Sequence, residues 1–281
     1  MSNPIFDELI EIIINSNAEI WNNSVEKIPS IFYIGWGKSG SQSICNGFPK
    51  HKVAHWHNVG HFTQLYKSNL LSKNKYDLYD FIIYIGKKYN FKPLIIESIR
   101  DPVERNISAV FQTVEAIING YTNKMEDLNN PYMRLYNILK SDISEDSKKQ
   151  VLNIILAKKL DLFEILSTEM WEKHYNIDLK TIFDKEKSYC YSNQTTCNLL
   201  LLRYDNIKDW KEIFSNIGYD YVPNHTNNTL IKPNNIPLYY DYVLRNISYE
   251  KKNLETIYFN YQPFYNKNDL DNFYKRWLKP T

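Results

Sequence analysis

An apolar run, Ile31-Phe32-Tyr33-Ile34, passes directly into Gly35-Trp36-Gly37-Lys38-Ser39-Gly40-Ser41-Gln42-Ser43. That order predicts a β-strand, a tight Gly/Ser turn carrying one lysine, and a helix start. Backbone N–H groups at such a helix start point outward, and the helix dipole favours negative charge there. A phosphate- or sulfate-bearing ligand is therefore expected, and the position of the lysine bears on its use. Further strands alternate with helices along the chain, which implies an α/β fold with a mostly parallel central sheet covered on both faces.

The loop is not a Walker A sequence. That motif, G-x-x-x-x-G-K-S/T, places the lysine after the second glycine, whereas Lys38 precedes Gly40. Gly35, Gly37 and Gly40 satisfy the bare dinucleotide pattern G-x-G-x-x-G, but such a site wants an acidic residue about twenty positions on at a strand end. The chain offers His51, His55, His57 and His61 there instead, with no Asp or Glu before Asp77. Taken alone, the loop could also be a plain turn.

A second signal lies at Leu94-Ile95-Ile96-Glu97-Ser98-Ile99, a strand ending at Arg100-Asp101-Pro102-Val103-Glu104-Arg105-Asn106-Ile107-Ser108. Asp101 as N-cap, Pro102 at the first helical position and Glu104 two residues further on read as a capping-box start. Arg100 then stands at the strand's carboxyl end with Ser108 about two turns up the helix, so both can reach one phosphate. Arg105, three residues before Ser108, shares its helical face.

In order and separation these segments resemble the sulfotransferases that use 3′-phosphoadenosine 5′-phosphosulfate (PAPS), a P-loop-like three-layer fold. Gly35-Trp36-Gly37-Lys38-Ser39-Gly40-Ser41 is similar to that superfamily's 5′-phosphosulfate loop, and Arg100 with Ser108 to its 3′-phosphate clamp. The run RDPVERNIS resembles carbohydrate sulfotransferases; Leu199-Leu200-Leu201-Leu202-Arg203-Tyr204-Asp205 and the segment from Phe264 to Trp277 resemble later parts of the same enzymes. The whole is similar to capsular-polysaccharide sulfotransferases of microbes and large viruses, over roughly residues 30–115 and 198–280. The resemblance implies PAPS bound by Gly35, Gly37, Lys38, Ser39, Gly40, Ser41, Gln42, Ser43, Arg100 and Ser108, with PAP as product and no metal. Ser41, Gln42 and Ser43 replace the usual threonine pair, and the R-K-G loop that covers the cofactor in the cytosolic small-molecule sulfotransferases is not visible, which leaves the adenine contacts unassigned.

Four of the six histidines fall between His51 and His61. Lys52-Val53-Ala54-His55-Trp56-His57 alternates like a short strand, so His55 and His57 share a face beside the loop. An acceptor hydroxyl is a poor nucleophile until its proton is taken, and histidine is poised for that near neutral pH. The pair resembles the H-x-H of uronyl 2-O-sulfotransferases, whose second histidine is the proposed base. His57 is thus expected as base, with His55 placing the acceptor and Lys38 stabilising the leaving phosphate. Which of the two histidines is the base stays open at this level, as do simple packing and a zinc site at the i,i+4 spacings of His51/His55 and His57/His61.

A chain of 281 residues can bury a full core and reads as one domain over residues 1–281. Residues 121–149 are polar and read as a surface insertion. A net charge of +2 with no basic tract argues against nucleic-acid partners. Cys45, Cys190 and Cys197 lack metal spacing and suit a reducing compartment. Asp7, Glu8 and Glu11 are unlike a signal peptide, and no stretch approaches a membrane span, so a cytoplasmic protein is expected. Amphipathic helices are expected over 5–21, 62–90 and 149–174, and Trp56 or Trp171 could stack on a sugar. The alternative functions are a nucleotide-dependent phosphotransferase, which lacks its Walker lysine and acidic magnesium ligand here, and an inactive nucleotide-binding module. The acceptor's identity and the oligomeric state are not legible.

Overall fold

The computed structural model describes residues 2–16, 28–35, 38–57, 59–120, 130–158, 166–223 and 235–279. In chain order these form α1 (Pro4–Ser16), β1 (Ile31–Ile34), α2 (Ser41–Asn46), β2 (Val53–Trp56), α3 (Val59–Tyr66), α4 (Leu78–Lys88), β3 (Leu94–Ile99) and α5 (Pro102–Ile118). There follow α6 (Pro131–Lys140), α7 (Glu145–Ala157), α8 (Leu166–Tyr175), β4 (Tyr189–Asn193), β5 (Asn198–Arg203), α9 (Trp210–Asn216), α10 (Ile236–Asn246), α11 (Lys251–Tyr258) and α12 (Lys267–Trp277). They divide between two compact units, one of Met1–Ile99 with Glu164–Thr226, the other of Arg100–Phe163 with Asn227–Thr281.

The first unit holds the sheet, in strand order β2-β1-β3-β5-β4. The first four strands run parallel and β4 pairs antiparallel with β5. Both β1 and β3 are buried along their whole length, as strands covered on two faces must be, and hence read as unbroken apolar runs rather than alternating ones. On one face Ile31, Tyr33, Leu94, Ile96, Leu200 and Leu202 pack with Ile44 of α2 and with Trp210, Ile213 and Phe214 of α9. On the other, the Trp56 ring meets Phe32 at 5.4 Å, Phe62 of α3 at 5.0 Å and Phe81 of α4 at 6.1 Å. Phe6 of α1 closes over Phe81 at 5.5 Å. Helix, sheet, helix: the three-layer α/β arrangement is complete within this unit. Trp56 and Trp171 are both buried to 1% exposure, which makes them core residues rather than a sugar platform.

The second unit is helical. Asp101 caps α5 by accepting from the Val103 N–H at 2.9 Å, with Pro102 in the first turn. No capping box forms: the Glu104 carboxylate, expected to reach back to the cap, is drawn to Arg100 and Arg276. The Ser147 and Tyr239 hydroxyls bond at 2.8 Å, and the Tyr258 ring stacks on Phe273 at 5.4 Å.

Four stretches differ from the sequence reading. The helical stretch over 62–90 is broken into Val59–Tyr66, Leu70–Lys73 and Leu78–Lys88. The expected helix over 149–174 ends at Ala157, because Lys158 takes up an extended ψ of 119°, and helix resumes at Leu166 in the other unit. Residues 17–27, 121–129 and 159–165 lie outside the described residues; 131–140 and 145–149 are helical with Leu135, Leu139 and Ser147 buried, so their polar composition belongs to the outer faces of amphipathic helices. The strand β4 had no expectation at all.

Candidate functional site

The loop leaves β1 at Gly35 and re-enters regular structure at Ser41, while Trp36 and Gly37 lie outside the described residues. Among its described residues, Lys38 at φ 71° and Gly40 at φ 98° are left-handed. Gly40 precedes α2 and accepts from the Ile44 N–H at 3.0 Å. A Cβ there would stand 2.6 Å from Cη2 of Trp210 and 2.8 Å from Cδ2 of Tyr204. Glycine is required twice over, by its dihedral and by the rings packed on it.

Three buried hydroxyls hold the loop. The Tyr33 hydroxyl lies 2.8 Å from both Ser39 Oγ and Ser98 Oγ, and Ser98 Oγ donates to the Ser39 carbonyl at 2.6 Å. Burial pushes the Tyr33 pKa up, so its proton stays in this triangle. Ser39, Ser41 and Ser43 are buried, Gln42 is exposed, and Lys38 is half-buried. The Ser39 hydroxyl is thus bonded within this triangle.

The histidine cluster stands against this loop. His55 lies on β2 and His57 directly after it, their rings edge to face with centroids 4.5 Å apart. His57 Nδ1 is 2.7 Å from the Gly35 carbonyl. A carbonyl can only accept, so Nδ1 carries the proton and Nε2 keeps the basic lone pair. The His57 N–H donates to His61 Nδ1 of α3 at 3.1 Å, and those two rings lie 4.6 Å apart.

Burial, with His57 and His61 adding to it, drives the His55 pKa down to about 3. Its Nε2 is enclosed without a hydrogen-bond partner, and its ring meets Tyr33 edge-on at 5.3 Å. Burial first, and His57 second, also lower His61. Two rings of the three are therefore held neutral. His51, exposed in a 3₁₀ turn, does not join them.

Arg100 and Ser108 belong to the second unit. Arg100 is ion-paired with Glu104, whose other oxygen takes Arg276 at 2.9 Å. Burial raises the Glu104 pKa, but the two guanidinium groups outweigh it and hold it below the usual carboxylate range. The buried Ser108 hydroxyl bonds to that of Tyr240 on α10, and Tyr240 also feels the charges of Arg100 and Glu104. The expected clamp residues thus share one neighbourhood, built with Glu104 and Tyr240, which the sequence reading omitted. The i,i+4 spacing of Arg100 and Glu104 was a readable sign of their pairing; nothing local announces Tyr240.

Below them Asp101 is 1% exposed. It accepts from the Tyr258 hydroxyl at 2.8 Å and from the Trp277 indole N–H at 2.7 Å. Burial lifts its pKa to about 6 against the pull of these donors.

Among the described residues one other group could approach a cation, Asp77, Asp80 and His174. Asp77 caps α4 and pairs with Lys173 and His174, which gives the group a structural account. Among the described residues no helix is long and apolar enough to cross a membrane. No protein family, curated protein or solved structure matches the chain.

Proposed function

We propose that the chain transfers the sulfuryl group of PAPS to a hydroxyl of a carbohydrate or polysaccharide acceptor. The observation that carries this reading is the His57–Gly35 contact, which holds the imidazole by Nδ1 against the first residue of the loop after β1. The loop's left-handed Lys38 and glycine-only Gly40 fit a bound phosphosulfate, as does the arginine–serine pair Arg100 and Ser108.

PAPS supplies the sulfuryl group and departs as PAP. His57 Nε2 accepts the acceptor's O–H proton as the new O–S bond forms. The S–O bond to the phosphate breaks with its electron pair on the phosphate oxygen, and Lys38 with the loop amides balances that charge. Gly35, Gly37, Ser39, Gly40, Ser41, Gln42 and Ser43 shape and flank the 5′ site, while Arg100 and Ser108 hold the 3′-phosphate. His55, half-buried beside His57 and with its pKa lowered mainly by burial, places the acceptor. The charges are met without a metal. Three free cysteines agree with a reducing, cytoplasmic setting.

Calorimetric binding of PAP in metal-free buffer to wild type and to Arg100→Ala tests this reading. Binding at about −8 kcal/mol or better, lost in the variant, supports it. Absence of PAP binding together with binding of ATP–magnesium replaces it with a phosphotransferase, and silence toward both ligands overturns it.

A further inference from the structure

We infer that His61 is a positioning residue that fixes the orientation of His57. The inference rests on the reading of His57 as the base. His57 follows the last residue of β2, so its backbone could turn several ways. It is held at two points: its ring Nδ1 by the Gly35 carbonyl at 2.7 Å, and its own N–H by His61 Nδ1 at 3.1 Å. The second contact requires His61 to accept at Nδ1, which puts its proton on Nε2. The two rings then lie 4.6 Å apart at 38°, so His61 restrains the backbone and one ring face of His57 at once.

The arrangement has a reason in the local chain. His61 is four residues after His57 and sits in the first turn of α3, where N–H groups lack intrahelical acceptors. A side chain reaching back from that turn does the work of a cap for the residue entering it. His55 occupies another side of the His57 ring, at 4.5 Å, and Tyr33 backs His55 at 5.3 Å. The ring thus has His55, His61 and the Gly35 carbonyl as neighbours.

The test uses full-length protein labelled at histidine, with long-range proton–nitrogen NMR at an alkaline pH where all rings are neutral. His57→Ala identifies the His57 signals. Wild type is expected to show His57 in one tautomer, with its proton on Nδ1. His61→Asn keeps an acceptor oxygen near the place of Nδ1 and should preserve that tautomer. His61→Phe keeps a ring but removes the acceptor; it should mix the two tautomers and lower kcat tenfold to a hundredfold, on the order of a misplaced catalytic group, with PAP affinity and acceptor KM unchanged. If His61→Phe does not fold, His61→Leu takes its place. A folded variant of this kind with the single Nδ1–H tautomer and wild-type kcat overturns the inference. Sulfuryl transfer that survives His57→Ala removes the base reading instead, while the tautomer measurement still decides whether His61 holds His57.

Discussion

The imidazole of His57 and the carbonyl of Gly35 stand 2.7 Å apart, joining the residue after β2 to the residue after β1. Neighbouring parallel strands bring their carboxyl ends to one edge, so a strand-end histidine and a strand-end loop meet there without long-range design. The bond puts the ring proton of the neutral imidazole on Nδ1, so under the proposed function Nε2 would be the base. It also ties His57 to the loop after β1.

Replacing His57 by alanine should lower kcat by about 10²–10⁴, the usual contribution of a general base. PAP affinity should stay at the wild-type value, because the phosphate-binding groups are untouched. Steady-state kinetics beside calorimetry checks both; a large loss of PAP binding would count against the assignment.

At Gly40 an added methyl group meets the Trp210 and Tyr204 rings and a left-handed dihedral. Gly40→Ala should cost about 2–4 kcal/mol, combining the backbone preference with overpacking. Urea unfolding reads the loss. Gly120, left-handed with nothing within 4 Å, provides the control, since Gly120→Ala meets only the dihedral cost.

Ser98 bridges β3 to the loop through the Ser39 carbonyl and the Tyr33 hydroxyl. Ser98→Ala should remove about 1–3 kcal/mol, because a buried carbonyl loses its donor. PAP binding should weaken as well, since the loop loses a fixed point. A variant as stable as wild type by urea titration would show that the triangle does not restrain the loop.

Asp101 gives a pH signature. Its carboxyl titrates near 6 in the fold against 3.8 for the free group, so it favours folding below 3.8 and that contribution is lost as pH rises through about 6. The two-unit rise corresponds to about 3 kcal/mol. Asp101→Asn has no such slope, and its amide N–H₂ confronts the Trp277 N–H donor. It should be the less stable protein in acid, with the gap narrowing as pH passes 6. Urea unfolding of both proteins on either side of that window checks it; a gap that widens with pH reverses the sign and refutes the account.

Much of the fold was legible because its determinants are local. Leu94–Ile99 is a strand and Pro102–Ile118 a helix, as the apolar run and the Asp101-Pro102 start indicate. The alternation around His55 correctly implied that it and His57 lie together beside the loop. What escaped depends on distant partners. Strand β4, Tyr-Cys-Tyr-Ser-Asn, has too little apolar pattern to announce itself and is a strand because β5 offers a free edge. The diversion of Glu104 from its cap follows from Arg276, 172 positions along the chain. His61 was noticed only as one of a group, because its role depends on a backbone turn that spacing alone does not reveal.

The alternation of the two units' segments along the chain has a consequence for how it folds. Leu94 of β3 pairs with Asn198 of β5, and residues 100–163 of the helical unit lie between them in the sequence. During synthesis β1, β2 and β3 can associate early, but they wait for roughly a hundred further residues before the fourth parallel strand exists. Closing so long a loop is slow, more through topology than through any weakness of the contacts formed. Until then β3 presents an open edge of buried, aliphatic character, the sort of surface that recruits other chains. Recovery from denaturant should accordingly depend on protein concentration more steeply than recovery of the folded protein from mild heating.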